Sequence, residues 1–148
     1  MSVATAGLVL LVLSAWALYA FGSISMALDF VAGERLLVDE HRKSFGSLAS
    51  GQSSSLEFTV NNMTGHTVRI IGCQSKCTCT MAQGLPMSIP SSERRVVRIL
   101  IHALPRPGEV AEALWLYTDD RGRPQIIINV TGRFTEDNKK QPLKGHDI

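Results

Sequence analysis

Residues 53–60 read SSSLEFTV. Leu56, Phe58 and Val60 alternate with polar residues, and this period of two is typical of a strand with one buried face. The polar run at residues 61–65, NNMTG, predicts a turn directly after it. The stretch therefore predicts a β-strand whose apolar side chains belong to a core.

Similar runs recur on both sides of this strand. Further strands are predicted, clearly or more weakly, at Thr67–Cys73, Arg94–Ala103, Glu109–Thr118 and Gln125–Thr131, and at Phe45–Ala49 and Pro86–Ile89. Gly, Pro and Asn separate them, and no helical period interrupts them. We expect an all-β domain over residues 45–134, an antiparallel β-sandwich of about seven strands. Residues 135–148 are polar without periodicity and predict a flexible tail.

A charge-free segment precedes this β region. All 15 Lys and Arg and all 13 Asp and Glu residues lie at or after Asp29, so Val3–Leu28 carries no charge. As one helix the segment would be about 39 Å long, and a bilayer core is about 30 Å thick. We expect a single transmembrane helix within residues 1–30, followed by a juxtamembrane linker at residues 31–44. A cleaved signal peptide and a buried core helix are the alternatives. The apolar side chains expected to form the anchor are Val3, Leu8, Leu11, Trp16, Tyr19, Phe21 and Leu28.

Charge and motifs exclude some classes of function. A net charge of +2 and a pI near 8.6 leave no strong basic patch, so we expect no nucleic-acid binding. No G-x-S-x-G, P-loop, H-E-x-x-H or paired-carboxylate pattern occurs, so we expect no enzyme. Arg35, Arg42 and Lys43 follow the apolar segment, but neighbouring acids dilute their charge. They are therefore a weak signal for a cytoplasmic C-terminal side.

Three cysteines within seven residues are the chemical feature that stands out. Cys77 and Cys79 are two positions apart, so their side chains can point to one side, and Cys73 ends the second predicted strand. With the thioether of Met81, three thiolates would suit Cu(I) or zinc, and His66 is the nearest candidate for a fourth zinc ligand. A disulfide, a redox pair and a buried structural role stay open, and nothing in the spacing places a histidine base beside the cluster. We expect no cofactor, with Cu or Zn as the alternative.

These elements, in their order, resemble a known family. Five segments match its pattern: Phe58–Asn62, Val68–Ile70, the Cys77–Thr80 signature, Gly108 and Ile128–Gly132. Within the signature loop, Thr80 fits the pattern and Thr78 stands where glycine is usual. The chain from Phe45 to Phe134 is thus similar to the bacterial domain-of-unknown-function family fifteen-seventy-three.

The resemblance implies an Ig-like sandwich, akin to Hydin-type domains, in an exported protein. We therefore expect a single pass through the cytoplasmic membrane with the C-terminal domain outside, against the weak charge signal. The leading hypothesis is a non-enzymatic module that contacts membrane or envelope proteins or serves as an accessory subunit of their complexes. A thiol-based metal-handling or redox protein using Cys77 and Cys79 is the alternative. Lateral packing of the helix through small residues such as Gly7 and Ala15 is a third hypothesis.

Overall fold

The computed structural model describes residues 3–22 and 24–136, which form two helices followed by a two-sheet β-sandwich. The helices are α1, Val3–Phe21, and α2, Ile24–Val31. The nine strands are β1 Leu36–Val38, β2 Arg42–Ala49, β3 Ser53–Asn62, β4 Val68–Ser75, β5 Thr80–Gln83, β6 Met87–Ile89, β7 Arg94–His102, β8 Gly108–Thr118 and β9 Gln125–Thr135. All seven predicted strands are present near their expected bounds, and the prediction of an all-β body is confirmed.

The strands form a four-stranded sheet, in the order β1-β3-β7-β5, and a five-stranded sheet, in the order β2-β9-β8-β4-β6. Most neighbours are antiparallel, but β2 pairs with β9 in parallel, with Arg42 opposite Asn129 and Ala49 opposite Thr135. The expectation of a purely antiparallel sandwich is wrong at this pair. The parallel pair forms where the chain passes from one sheet to the other. β1 belongs to the four-stranded sheet, and β2 joins the five-stranded sheet beside β9, the last strand.

Alternating side chains from both sheets build the core. On β3 the buried positions include Phe58 and Val60, as the period of two predicts, and on β7 they are Val97, Ile99 and Ile101. These five side chains belong to one cluster with inward-facing residues of β4, β8 and β9. The core is therefore the interlayer between two sheets, typical of a sandwich.

The sandwich begins earlier than predicted. Residues 31–44 are not a linker, because β1 and the start of β2 lie inside them. Leu36 and Val38 are buried in the core cluster. A three-residue apolar run between charged neighbours is too short to show a period, which is why the sequence did not predict it. Two strands that the sequence did not predict, β1 and β5, raise the number of strands from about seven to nine.

The N-terminal segment is two helices rather than the single helix predicted. α1 ends at Phe21, and Gly22 follows with φ of 78°, a left-handed conformation that closes helices and favours glycine. Within the described residues, neither helix alone has the length and apolar character needed to cross a membrane. Thr5–Ala20 and Ile24–Val31 meet that test only together, with a bend of 93° between them. The predicted tail begins at Thr135, the last residue of β9, and residues 137–148 lie outside the described part of the chain.

Candidate functional site

The cysteine loop connects β4, in one sheet, to β5, in the other. Cys77 and Cys79 form a disulfide across Thr78, with their Cα atoms 5.1 Å apart. This pairing is one of the alternatives that the sequence left open. Cys79 is buried, Cys77 is half-buried, and Thr78 is exposed at the tip between them. The signature is therefore a small covalent ring at the point where the chain changes sheet.

Hydrogen bonds hold this ring against the strands. The Cys77 N–H donates to Ser75 Oγ at 3.2 Å, and that hydroxyl lies 2.7 Å from Oγ1 of the buried Thr80. The Cys79 N–H donates to Cys77 Sγ at 3.1 Å. On the other side, the His102 N–H donates to the Cys79 carbonyl at 2.8 Å. The predicted signature residues thus tie the loop to both β4 and β7.

Cys73 does not join the disulfide and is a free, half-buried thiol. Burial raises the pKa of Cys73 above its ordinary value, and a hydrogen bond with the Ala82 backbone offsets part of that increase. The sulfur also packs against the core cluster. A raised pKa keeps the thiol protonated near neutral pH, which is typical of a structural rather than a nucleophilic cysteine.

The structure holds His66, the predicted fourth zinc ligand, in a separate pair. His66 Nε2 lies 3.0 Å from Oδ1 of Asp120, a residue of the turn between β8 and β9. Met81 lies on β5 with 59% of its surface exposed. The described residues contain no group of three or more His, Cys, Asp or Glu side chains that could hold a metal ion. With Cys77 and Cys79 oxidised, Cys73 is the one thiol of the three that remains.

His102 lies beside the disulfide loop, although its spacing in the sequence did not indicate this. The β5–β7 register places Thr80 opposite Ile101, so His102 falls next to Cys79. Its Nδ1 lies 2.6 Å from Ser53 Oγ. No local sequence signal could have found this pair, because it depends on how β3, β5 and β7 align.

Two surface grooves meet at the disulfide. One, of about 320 Å³, is lined by Thr78, Cys79, Met81, Leu100 and His102 on the outer side of the four-stranded sheet. The other, of about 360 Å³, lies at the end of the sandwich, and its lining includes Cys77, Cys79, Leu104, Val110 and Phe134. Cys79 contributes to both. The loop is therefore the wall between two shallow, partly apolar surfaces, and the geometry suits contact with a chain or peptide rather than enclosure of a small substrate.

The predicted anchor residues lie on the two helices. More than half of the surface of each of five of them is exposed: Leu8, Leu11, Trp16, Tyr19 and Leu28. Val3 and Phe21 lie at the ends of α1. Together with the absence of charge before Asp29, this gives the described part of the two helices an exposed apolar surface of the kind that water-soluble domains rarely show.

The sandwich is similar to PapD-like domains of known structure. It aligns with the ASH / PapD-like domain of human CEP192 (PapD-like domain 7) at 11% identity and a TM-score of 0.55, over 70% of this chain and 87% of that chain. A protein of unknown function from Porphyromonas gingivalis W83 aligns at 13% identity and a TM-score of 0.55, over 77% of this chain and 51% of that chain. The secreted serine protease VesC from Vibrio cholerae aligns at 9% identity and a TM-score of 0.52, over 72% of this chain and 25% of that chain. At these identities the likeness shows the fold alone. No curated protein matches the chain.

The family assignment rests on a match of the sequence and not on the structural likenesses. One family profile matches residues 36–134, from the first residue of β1 to Phe134, one residue before the end of β9, and the match includes the cysteine loop. That span is more than half of the chain and agrees with the motif resemblance. The chain therefore belongs to the family described as "Protein of unknown function (DUF1573)".

Proposed function

We propose that this chain is a non-enzymatic, membrane-anchored Ig-like module, located outside the cytoplasmic membrane, that binds other envelope proteins. The observation that carries this proposal is a charge-free, exposed helix, α1, joined through α2 to a PapD-like sandwich. As a helix, Val3–Phe21 is about 28 Å long, slightly short of the roughly 30 Å of a bilayer core, and it has the apolar length of a span only together with Ile24–Val31. In a sandwich without a recognised catalytic motif, the sheet edges and loops are the surfaces through which a partner protein can bind.

The edge of β5 is the surface best suited to a protein partner. β5 lies at the end of the four-stranded sheet, and its one strand neighbour in the described chain is β7. Met81 and Leu100, opposite each other in the register, form an apolar pair on the outer face of these two strands. An edge strand beside an apolar groove is the arrangement used in β-strand addition.

Site-specific photo-crosslinking in native membranes tests this interaction. A photo-reactive side chain is placed at Met81 of the full chain, and the matched control carries it at Ser88, which is exposed on β6 at the edge of the other sheet. We expect discrete crosslinked proteins from position 81 and none from position 88. No crosslink from position 81, or a substrate turned over by the purified chain, would overturn the proposal.

Membrane attachment has its own test. We expect the chain to stay in the membrane fraction after washing with alkaline carbonate, since an inserted helix is not removed by high pH. We also expect external protease to digest the sandwich in spheroplasts whose cytoplasmic proteins remain intact. Release by carbonate would rule out the anchor, and full protection from protease would place the domain in the cytoplasm.

The disulfide favours a second candidate function, thiol–disulfide exchange. Cys77 is the more accessible sulfur, so a thiolate of a partner protein would attack it, forming a mixed disulfide while Cys79 leaves as the thiol after taking up a proton. The metal-handling form of this candidate requires prior reduction, because thiolates and not disulfides bind Cu or Zn. Equilibration in glutathione buffers, followed by alkylation of free thiols, tests it. A bridge that stays oxidised below about −300 mV is structural and removes this candidate.

A further inference from the structure

Helix α2 is docked on the sandwich rather than suspended between it and α1. It contacts β1, and Met26 is only 4% exposed. The Ser25 hydroxyl donates to the Asp39 carbonyl, just after β1. Asp29 Oδ2 lies 2.9 Å from His41 Nε2, just before β2. Three side chains of one short helix are thus held by the domain.

The C-terminal end of α2 is fixed as well. Gly33, with φ of 95°, donates its N–H to Phe30 O at 3.1 Å, and the Glu34 N–H donates to Asp29 O at 3.0 Å. These two bonds are the Schellman arrangement that closes a helix. Arg35 completes it, with its guanidinium 4.2 Å from the centre of the Phe30 ring and Nη1 donating to Phe30 O at 3.0 Å. The path from α2 into β1 therefore has one defined conformation.

The face of α2 that points away from the sandwich is apolar. Ile24, Leu28 and Val31 are 50%, 65% and 84% exposed. Their spacing of four and three residues puts them on one side of the helix, opposite Met26. A bend of 93° separates α2 from α1, whose apolar side chains are also exposed.

We propose that α2 lies flat in the headgroup region of the bilayer, with Ile24, Leu28 and Val31 facing the acyl chains, and that it holds the sandwich on the membrane in one orientation. The proposal rests on α1 being the membrane anchor. A helix that stands along the bilayer normal and a second helix at a right angle to it place the second one parallel to the membrane surface. An apolar stripe on one face and a docked domain on the other are what such a position requires. The occupant of the stripe is therefore lipid.

Spin labels on the full chain test the position of α2. The chain is reconstituted in vesicles of phosphatidylcholine with a minor fraction of phosphatidylglycerol. Labels are attached to Leu28→Cys, to Val31→Cys and, as the aqueous control, to Glu40→Cys, each in a Cys73→Ser background. Label collisions with oxygen, which concentrates in lipid, are compared with collisions with a water-soluble nickel chelate. We expect the ratio to shift toward oxygen at positions 28 and 31 and toward nickel at position 40.

A fourth label, on Leu11→Cys in α1, separates failure of this inference from failure of the anchor. Water exposure at positions 28 and 31, with lipid exposure at 11, overturns the flat position of α2 and leaves the anchor intact. Water exposure at all three positions overturns both. Spin–spin broadening at position 28 that disappears on dilution with unlabelled chain would show that a second copy, not lipid, covers the stripe, and would also overturn the proposal.

Discussion

The buried side-chain amide of Asn62 has a hydrogen-bond partner for both of its N–H donors and accepts two hydrogen bonds at its oxygen. Its Nδ2 donates to the carbonyls of His66 and Ile89, both at 2.8 Å, and its Oδ1 accepts from the N–H and hydroxyl of Thr64 at 2.9 and 2.6 Å. The side chain is inaccessible to solvent. It therefore joins the end of β3 to the following turn and to β6, and this explains why an asparagine closes the Phe58–Asn62 motif.

Replacing this amide tests its role in stability. Asn62→Asp keeps the shape but turns two donors into an acceptor that faces two carbonyls. Because a buried group left without its partner costs about 1–3 kcal/mol, we expect the free energy of unfolding to fall by about 3 kcal/mol. Urea unfolding of the full chain in detergent, followed by tryptophan fluorescence, measures the loss. The exposed Gln83→Ala is the control, and equal midpoints for the two variants would contradict this account.

Cys73 provides a prediction on reactivity and pH. Because burial raises the pKa of Cys73, the folded state holds the thiol proton more tightly than the unfolded state. The stability linked to this group is thus complete below the ordinary thiol pKa and is lost as pH rises through the folded pKa. We expect Ellman's reagent to modify one thiol per oxidised chain, more slowly in the native than in the urea-unfolded protein at pH 8. Cys73→Ser should abolish the signal, and equal rates in the two states would show an unburied thiol.

At the scale of single elements, the disulfide closes a loop too small to constrain the unfolded chain strongly. Chain-entropy arguments give about 1.6 kcal/mol for a three-residue loop. We expect Cys77→Ser with Cys79→Ser to lower the free energy of unfolding by about 1–2 kcal/mol and to leave the fold intact. Urea midpoints and far-UV circular dichroism measure both effects. An unfolded double variant would instead make the bridge essential to the sandwich.

Gly132 on β9 is required by the ring of Phe45 on β2. A Cβ at position 132 would lie 2.3 Å from Phe45 Cε2. The same ring packs against Phe134, with centroids 5.6 Å apart. Because overpacking costs about 1–3 kcal/mol, we expect Gly132→Val to lower the free energy of unfolding by about that amount. A Phe45→Ala background removes the clash, so the valine should cost less there, and equal costs in both backgrounds would contradict the contact.

The strands and the disulfide differ in how well the sequence alone predicts them. β3 and β7 are long and buried on one face, so their alternation predicts both strands, although β3 runs to Asn62, two residues into the predicted turn. β1 and β5 have three and four residues, too few for a period, and they are strands because longer neighbours pair with them. The parallel β2–β9 pair and the position of His102 depend on contacts between distant segments. Such contacts leave no local pattern, whereas the Cys77–Cys79 pair was at least one of the expected alternatives.

At the scale of the whole molecule, helices and sandwich form a continuous structure without the expected linker. We therefore expect trypsin to cleave slowly after Arg42 and Lys43, since both lie within β2, which is paired to β9. Mass spectrometry of the fragments from the full chain in detergent locates the cuts. The same bonds should be cut quickly in urea, provided the trypsin is assayed in the same buffer. Rapid separation of the helices from the sandwich under native conditions would restore the linker hypothesis.

The pairing of β2 with β9 also sets an order of events during synthesis. The Asn129 amide donates to the His41 carbonyl, across 88 positions of the chain. At about 5–20 residues per second, the ribosome needs roughly 4–18 seconds to make the last strand after the second. Throughout that interval β2 lacks its one sheet neighbour among the described strands, and during it the apolar N-terminal segment leaves the ribosome. A nascent chain truncated before Asn129 would be left with an unclosed edge, open to aggregation or to a chaperone.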